Sequence, residues 1–393
     1  MNIDKIRSDF PFFKDSNLIY FDNATTTQKP EIVLAATDDL LRNGLTNAWR
    51  GSHMLANKAA MILENVRTAT AKFIGGAADE IAFTPGSTYS MNTLAYAWGL
   101  YNLEDGDEIL LCYEDHKSTI LPWLELVKTL AKFGKNIKVI SIPIHPHGDY
   151  DDAELAARLT PKTRVIILTH IHSYFGTEMN IALNIAEIRR YNKKIKIFID
   201  GTGAAGHIPV DVGSLGCDAY LFTGHKMCAL PGVGILWISK DVQHELQFFI
   251  FGANPDSQGL RMLESGTYNM PAIVSLGAAI KYIEKIGLNK IEQYISDLTR
   301  KLANGLNAIP GLIIERGASL CKCQSYGICT FGIEGMTGAD ISYVLNEHKI
   351  YVRADNFCFE NSAKLTSSVR ASLYFYNTEN EVENFIRRVQ EMC

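Results

Sequence analysis

The chain has 393 residues, enough for two or three domains and a large buried core. Its 38 Lys and Arg residues against 43 Asp and Glu residues set a formal net charge of −5, so nothing electrostatic favours nucleic acid or a membrane surface as partner. The 47% hydrophobic content excludes a disordered chain, and no apolar run approaches the roughly 18 residues of a membrane span. Since residues 1–9 are too charged for a secretory signal, we expect a soluble, cytoplasmic protein.

Short runs rich in β-branched residues alternate with helical patterns through the first two thirds of the chain. The expected strands are residues 80–84, 108–111, 138–142, 165–169, 196–200, 220–223 and 234–238. The expected helices are residues 54–73, 88–98, 119–133 and 181–191. Several strands are unbroken apolar runs, as in sheets that are covered on both faces. The alternation therefore predicts an α/β fold with a mostly parallel sheet.

The pattern changes after about residue 265. The expected elements there are helices at 271–286, 289–308 and 379–392 and strands at 312–315, 327–333, 350–353 and 369–373. This order indicates a smaller α+β domain. We therefore divide the chain into an N-terminal segment at 1–17 that packs on the small domain, a large domain at 18–265 and a small domain at 266–393.

Eight cysteines are too few for a disulfide scaffold in a chain of this length. Cys321, Cys323 and Cys329 cluster, but their spacing matches none of the usual zinc patterns. We expect no metal site, and we expect the thiols other than that of Cys358 to be reduced and packed as small apolar groups.

Asp200 and Lys226 each follow a hydrophobic strand, at the sheet edge where α/β proteins bind ligands. A carboxylate there could pair with a pyridinium nitrogen, and a lysine on a glycine-containing turn could form a Schiff base with an aldehyde. A pyridoxal phosphate (PLP) enzyme needs both contacts. Taken singly, such an Asp often caps a turn and such a Lys is usually only solvated. Together they favour a PLP site.

Two further motifs follow expected strands. Pro85-Gly86-Ser87-Thr88 opens an expected helix, where backbone N–H groups suit a phosphate, although an ordinary helix cap would look the same. His116 could stack on an aromatic cofactor and move protons, although a lone loop histidine is more often only hydrogen-bonded.

Eight motifs in order make the chain similar to the class-V aminotransferase family, and within it to the cysteine desulfurase and selenocysteine lyase branch. They are Asp-x-Ala-x-Thr from residue 22, Arg50-Gly51-x-His53, Pro85-Gly86-Ser87-Thr88, Glu114-x-His116, Thr169-His170, Asp200-Gly201, Thr223-Gly224-His225-Lys226 and Arg370-Ala371-Ser372-Leu373-x-x-Tyr376-Asn377. The resemblance runs nearly end to end. It implies a fold-type I PLP-dependent transferase, with a large domain around a mostly parallel seven-stranded sheet and a smaller α+β C-terminal domain. It also implies a homodimer whose active site lies at the subunit interface.

The resemblance also implies roles for individual residues. Lys226 would form the Schiff base, Asp200 would pair with the pyridinium and His116 would lie over the ring. Cys358 falls where desulfurases carry the nucleophile that forms a persulfide. The implied cofactor-binding residues are Ser87, Thr88, His116, Ser173, Asp200, Gly203, Thr223, His225, Lys226 and, from the other subunit, Thr267. The implied substrate-binding residues are Arg370, for the α-carboxylate, with Arg353, Asn23 and Ala24.

The chain departs from the family at positions tied to desulfuration. Gly203 and Ser173 stand where the family usually has a Gln and an Asn that contact the phenolic oxygen of the cofactor, and His172 or Tyr174 could take their place. Phenylalanines and acidic residues surround Cys358, which would raise the pKa of its thiol and favours a packed cysteine.

The segment from Lys226 to Thr267 also looks short, and residues 251–254 replace a usual triple glycine. From these departures we expect an aminotransferase that moves an amino group from a glutamate-like α-amino acid to a small keto acceptor through a Schiff base on Lys226. The alternative is a cysteine desulfurase or selenocysteine lyase that uses Cys358 as the persulfide nucleophile.

Overall fold

The structure is a computed structural model that describes residues 1–14, 17–145, 148–248, 250–252, 259–314, 325–354, 357 and 368–393. Its helices are α1 (Ile3–Ser8), α2 (Glu31–Asn43), α3 (Met54–Phe73), α4 (Ser87–Thr93), α5 (Leu100–Asn102), α6 (Lys117–Lys132), α7 (Asp152–Arg158), α8 (Ile181–Tyr191), α9 (Val212–Leu215), α10 (Lys240–Gln243), α11 (Met270–Ile286), α12 (Leu288–Asn307), α13 (Gly338–Glu347) and α14 (Glu379–Gln390). Its strands are β1 (Ile19–Tyr20), β2 (Ile81–Thr84), β3 (Glu108–Leu111), β4 (Lys138–Ser141), β5 (Thr163–Thr169), β6 (Lys196–Asp200), β7 (Ala219–Thr223), β8 (Gly234–Ile238), β9 (Leu312–Ile314), β10 (Ile328–Ile333), β11 (Ile350–Tyr351), β12 (Arg353–Ala354) and β13 (Ser368–Ser372).

A seven-stranded sheet with the order β2-β8-β7-β6-β5-β3-β4 forms the centre of the large unit. Strand β8 is antiparallel to β2 and β7, and the other neighbouring pairs are parallel. The strands are uninterrupted apolar runs because both faces of the sheet are buried. In β6, Ile197 and Ile199 pack into one core, and Phe198 packs into a second core on the other face. The predicted mostly parallel α/β sheet is confirmed, and each expected strand lies within two residues of an observed one.

The C-terminal part of the chain contains a four-stranded antiparallel sheet with the order β12-β13-β10-β9. It packs with α12, α13 and α14 around a third core, so the predicted α+β arrangement is confirmed. The single strand expected at 350–353 is two short strands, because β11 pairs with β1 whereas β12 pairs with β13. The division at residues 17 and 265 stays a prediction.

The helix expected at 88–98 begins as α4 and continues through a π-helical turn, Leu94–Gly99. Such a turn shifts the register of the helix by one residue. Within it, Trp98 packs edge-on against Phe198, and its Nε1 donates to Glu245 Oε2 at 2.7 Å. In the part of the chain that the structure describes, no helix is long and apolar enough to cross a membrane.

Candidate active site

A cavity of about 260 Å³ lies at the carboxyl ends of the sheet strands. It collects most of the residues singled out from the sequence: Asn23, Ala24, Ser87, Thr88, His116, Ser173, Asp200, Gly203, His225, Lys226, Arg353 and Arg370. It also contains residues that the sequence did not point to, among them Thr25, Thr202, His207, Tyr326 and Phe357. The topology therefore brings segments from the whole length of the chain to one site.

Asp200 is the last residue of β6 and is almost fully buried. Its Oδ2 accepts a hydrogen bond from Thr119 Oγ1 at 2.6 Å, and its Oδ1 accepts one from the backbone N–H of Thr202 at 2.9 Å. Two donors on opposite oxygens fix the plane of the carboxylate at the wall of the cavity.

Lys226 ends a short 3₁₀ turn, Gly224–Lys226, that follows β7 directly. The backbone N–H groups of Met227 and Ala229 both donate to the carbonyl of Gly224, at 2.9 and 3.0 Å, and so close the turn. Thr223 itself does not line the cavity. Its hydroxyl donates to the Val233 carbonyl at 3.4 Å. Its predicted contact with the cofactor stays a prediction.

Ser87 and Thr88 open α4 at one end of the cavity. The turn before them approaches β8 very closely: a Cβ on Gly234 would lie 2.5 Å from the Cα of Gly86. Glycine at 234 is therefore what lets the turn sit against the sheet. Nearby, burial, followed by the charge of Lys226, lowers the pKa of His225 to about 4, so this imidazole is neutral.

His116 caps the N-terminus of α6, with its Nδ1 2.6 Å from Ser118 Oγ and accepting from the backbone N–H of Ser118 at 3.2 Å. Burial, followed by the positive charge of Lys226, lowers the pKa of His116 to about 4. The imidazole is therefore neutral near pH 7 and able to accept a proton.

Asp115, the residue before His116 in the chain, is a buried acid that sequence reasoning missed. Tyr150 donates to Asp115 Oδ2 at 2.8 Å and itself accepts from the backbone N–H of Thr169 at 2.7 Å. Burial, with a smaller contribution from the charge of Asp200, raises the pKa of Asp115 to about 7. No sequence pattern marks Asp115, because its burial depends on a tyrosine 35 residues away.

Arg370, on β13, is buried at the opposite wall of the cavity. It donates to the Ser173 carbonyl at 2.8 Å and to Thr25 Oγ1 at 3.2 Å, and it lies 3.7 Å from Asp22 Oδ1. The loop that carries Asn23 is held to the same strand, because Asn23 Nδ2 donates to the carbonyl of the strand's last residue at 2.7 Å.

Unsatisfied buried hydroxyls show that the cavity fits a polar ligand such as PLP. Within the described residues, the hydroxyls of Ser173 and Thr202 are buried and have no hydrogen-bond partner, and both residues line the cavity. Buried polar atoms are nearly always paired, so a bound group with several acceptors would complete them. Asp200 and Lys226 in the same cavity are the groups that a PLP ring and its aldehyde need.

His172 lines the cavity, but both of its ring nitrogens already contact backbone groups. Its Nε2 lies 3.0 Å from the Glu114 carbonyl, and its Nδ1 accepts from the N–H groups of Tyr174 and Phe175 at 3.3 Å. Ser173 and Thr202 also line the cavity, and the expectation that His172 or Tyr174 takes the place of the usual contacts to the phenolic oxygen stays a prediction.

The local structure leaves no room for a residue larger than glycine at position 203. A Cβ on Gly203 would lie 2.8 Å from the backbone carbonyl of Ile171, so any larger residue would require the backbone to shift. The loop after β5 occupies the space that a glutamine would need.

Thr267 does not line this cavity. It lines a second cavity of about 280 Å³ with Glu264 and Tyr268, and its hydroxyl accepts from Asn47 Nδ2 at 3.4 Å. The role predicted for Thr267 is in the site of another subunit, and it stays a prediction.

None of the five cysteines in the described residues lines the cavity. Cys112, Cys217, Cys228 and Cys329 are buried, and burial raises the pKa of each thiol. Cys393 is exposed at the C-terminus. Cys358, like Cys321 and Cys323, lies outside the described residues.

The family model for class-V aminotransferases matches residues 19–385. The chain belongs to this family. A cysteine desulfurase of Klebsiella pneumoniae is 31% identical over 410 aligned positions, which cover 100% of this chain and 98% of that protein. The solved cysteine desulfurase of Thermococcus onnurineus NA1 superposes with a TM-score of 0.92 at 26% identity, covering 99% of this chain and 97% of that one. A solved mutant of a protein called C-DES, with glycine covalently linked to its PLP cofactor, has a TM-score of 0.82 at 25% identity and covers 98% of this chain and 99% of that one.

The family member described here is thus a PLP-dependent enzyme with the fold-type I architecture. The expectation of an aminotransferase is wrong, because relatives and a solved structure that match the chain over nearly their whole length are named cysteine desulfurase or probable cysteine desulfurase. The departures at Gly203 and Ser173 concern positions at which contacts to the cofactor were expected. They do not decide which bond of the substrate breaks, and for that reason they misled the prediction.

Proposed function

We propose that this chain is a cysteine desulfurase, which uses PLP to take the sulfur from L-cysteine and release L-alanine. The observation that carries the proposal is the full-length likeness to cysteine desulfurases of a chain whose cavity joins Lys226, Asp200 and Arg370. In the overall reaction, L-cysteine and an enzyme thiol become L-alanine and an enzyme persulfide, so that atoms and electrons balance without an outside oxidant.

PLP, when bound, supplies an electron sink for the substrate. Lys226 would hold its aldehyde carbon, and Asp200 would keep its ring nitrogen protonated. Ser87 and Thr88, at the start of α4, and His225, on the turn after β7, would hold its phosphate, since all three line the cavity. These assignments rest on the placement of all five residues in one cavity, where the Asp200 carboxylate and the Lys226 amine could contact the same PLP molecule.

Two groups are suited to move protons. The Nζ of Lys226 would take the proton from the substrate Cα and later return a proton to carbon. His116 is neutral near pH 7, because burial lowers its pKa, and would take the proton of the attacking thiol, which leaves that thiol as a thiolate and the substrate sulfur uncharged. Both side chains line the cavity.

Arg370 binds the α-carboxylate of the substrate through a bidentate pair. Its hydrogen bonds to Ser173 and Thr25 hold the guanidinium in place before the substrate arrives. Arg353 adds a second positive charge at the same wall, which suits an anionic substrate.

Cys358 is the thiol that takes the sulfur. Among the described residues no cysteine lines the cavity, whereas Phe357, the residue directly before Cys358, does. In the transfer, the thiolate donates an electron pair to the substrate sulfur, and the carbon–sulfur bond breaks with its pair going to carbon. A proton then completes the methyl group of alanine.

The proposal includes a homodimer with a shared active site. Thr267 and the second cavity around it would contribute to the site of the other subunit. Large apolar side chains on the outside of this chain, such as Trp49, Met54 and Met61, support a partner surface nearby, because each is more than half exposed. Sedimentation of the purified protein with and without PLP tests this part.

The experiment that tests the function compares Lys226→Ala with Lys240→Ala, a surface lysine paired with Asp79. We expect Lys226→Ala to lose both the visible absorbance of lysine-bound PLP and sulfide release from L-cysteine with a reductant present. Lys240→Ala should keep both. If Lys226→Ala retained sulfide release, the proposed function would be overturned.

A further inference from the structure

The backbone carbonyl of His225, the residue before Lys226, accepts hydrogen bonds from several donors on the loop after β1. The N–H and hydroxyl of Thr27 donate to it at 3.0 and 3.1 Å, and the hydroxyl of Thr26 donates at 3.1 Å. Lys29 Nζ lies 3.5 Å from the same oxygen. A segment almost 200 residues away in sequence thus holds the turn that carries the reactive lysine.

The hydroxyl of Thr27 also holds the other side of that turn. It accepts from the backbone N–H of Cys228 at 2.8 Å while it donates to the His225 carbonyl. One fully buried hydroxyl therefore bridges the residues on both sides of Lys226 and Met227.

The backbone at Cys228 needs such a partner. Its φ is +68°, a left-handed conformation that residues with a side chain rarely adopt and that persists only where the surroundings hold it. Cys228 is also fully buried, so without Thr27 its N–H would lose its hydrogen bond away from water. The chain has a Thr rather than an apolar residue at 27, and the structure shows what the hydroxyl does there.

We propose that Thr27 is the positioning residue for Lys226: its hydroxyl clamps the 225–228 turn so that the lysine side chain points into the cavity toward the aldehyde of PLP. The inference rests on the proposed role of Lys226. It concerns the geometry with which PLP is captured, not the bond that is broken in the substrate.

The test uses the full chain freed of PLP and three variants. Thr27→Val removes the hydroxyl at nearly constant volume, and Thr27→Ser keeps it. Thr163→Val is the matched control, because Thr163 is a buried threonine whose hydroxyl accepts the backbone N–H of Thr160 at 3.0 Å at the far end of β5. The measurements are the dissociation constant of PLP, the pH midpoint of the visible absorbance of lysine-bound PLP, and the thermal midpoint of the PLP-free chain.

We expect Thr27→Val to bind PLP about tenfold more weakly and to shift the pH midpoint by about half a unit or more, because the amine no longer meets the aldehyde in one geometry. Thr27→Ser should stay within about twofold of the original chain, and Thr163→Val should lower only the thermal midpoint. If Thr27→Val fails to fold, Thr27→Ala replaces it, since alanine removes the hydroxyl without placing a methyl group against the Cys228 amide. A hydroxyl-free variant with unchanged PLP affinity and unchanged pH midpoint would overturn the inference.

Sulfide release from cysteine is measured separately on the same samples. If the original chain releases no sulfide while the Thr27 series behaves as expected, the proposed desulfurase function fails and the positioning role stands. If sulfide is released and the Thr27 variants bind PLP like the original chain, the positioning role of Thr27 fails and the proposed desulfurase function stands.

Discussion

Arg353 and Arg370 stand directly opposite each other on the neighbouring antiparallel strands β12 and β13, and both line the cavity. Like charges at paired positions of a sheet repel each other and lower the stability of the fold. Asp22 Oδ1 lies 3.7 Å from Arg370 and places an opposite charge beside it. The two arginines give this wall of the cavity a positive charge, which suits an anionic ligand.

Arg353→Gln tests that relationship. We expect the PLP-free protein to gain about 0.2–1 kcal/mol in free energy of unfolding, because one of two repelling charges is gone. We also expect the KM for L-cysteine to rise about tenfold with a smaller change in kcat, because the charge binds the carboxylate in the ground state and the transition state alike. An unchanged KM would show that Arg353 does not meet the substrate.

Removing the proposed sulfur acceptor should abolish the reaction. We expect Cys358→Ala to lower sulfide release from cysteine at least about a hundredfold, which corresponds to about 2.7 kcal/mol of transition-state stabilisation. PLP binding should be unchanged. The control is Cys393→Ser, which removes an exposed thiol at the C-terminus. If Cys358→Ala keeps most of its activity, the sequence-based interpretation of Cys358 as a packed cysteine is correct.

The sheet could be predicted from sequence because each strand carries its own signal. Ile197, Phe198 and Ile199 form an apolar run whose members face two different cores. Such a run can be recognised as a buried strand from its own sequence, without knowing which strands lie beside it. Asp200 and Lys226 could be found for a related reason, since each directly follows such a run.

The rest of the site could not be predicted in this way. Tyr326 and Phe357 reach the cavity only because the C-terminal unit packs against the sheet, and nothing in their local sequence marks them. The clamp at Thr27 depends on contacts almost 200 residues apart. The reaction itself was predicted wrongly, because substitutions next to a cofactor change its contacts without specifying the bond that breaks.

The buried acid Asp115 makes stability depend on pH. Burial raises the pKa of Asp115 from 3.8 to about 7, so between these values the folded chain keeps a proton that the unfolded chain releases. The contribution to stability is full below about pH 4 and is lost as the pH rises through about 7. The free energy of unfolding of Asp115→Asn, relative to that of the original chain, should therefore rise by on the order of 4 kcal/mol between pH 4 and pH 8.

Urea unfolding of both proteins at several pH values measures this difference. Asparagine is the suitable replacement, because its side-chain oxygen can still accept from Tyr150. A difference between the two proteins that stays constant with pH would contradict the raised pKa of Asp115.

A buried ion pair holds the segment that carries Thr267. Glu264 binds the guanidinium of Arg67 at 2.7 and 2.9 Å, and it also accepts from the N–H of Phe83 and from the Tyr268 hydroxyl. We expect Glu264→Ala to lower the free energy of unfolding by about 3–5 kcal/mol, because it leaves the buried Arg67 with Glu64, at the longer distance of 3.3 Å, as its carboxylate partner.

The control for this pair is Asp38→Ala, which breaks an ion pair with Arg42 on the exposed face of α2. Chemical denaturation should show almost no change for that variant, since exposed pairs contribute little. Equal effects of the two substitutions would mean that the Arg67–Glu264 pair does not stabilise the fold.

The central claim is that the enzyme breaks the carbon–sulfur bond of cysteine. The most direct measurement incubates the purified PLP-loaded protein separately with L-cysteine and with L-glutamate, each with a reductant present, and quantifies alanine, sulfide and 2-oxoglutarate. Repeated turnover of cysteine to equal amounts of alanine and sulfide, with no 2-oxoglutarate from glutamate, is the predicted result. Formation of 2-oxoglutarate in an amount equal to the enzyme, with neither alanine nor sulfide from cysteine, would contradict it.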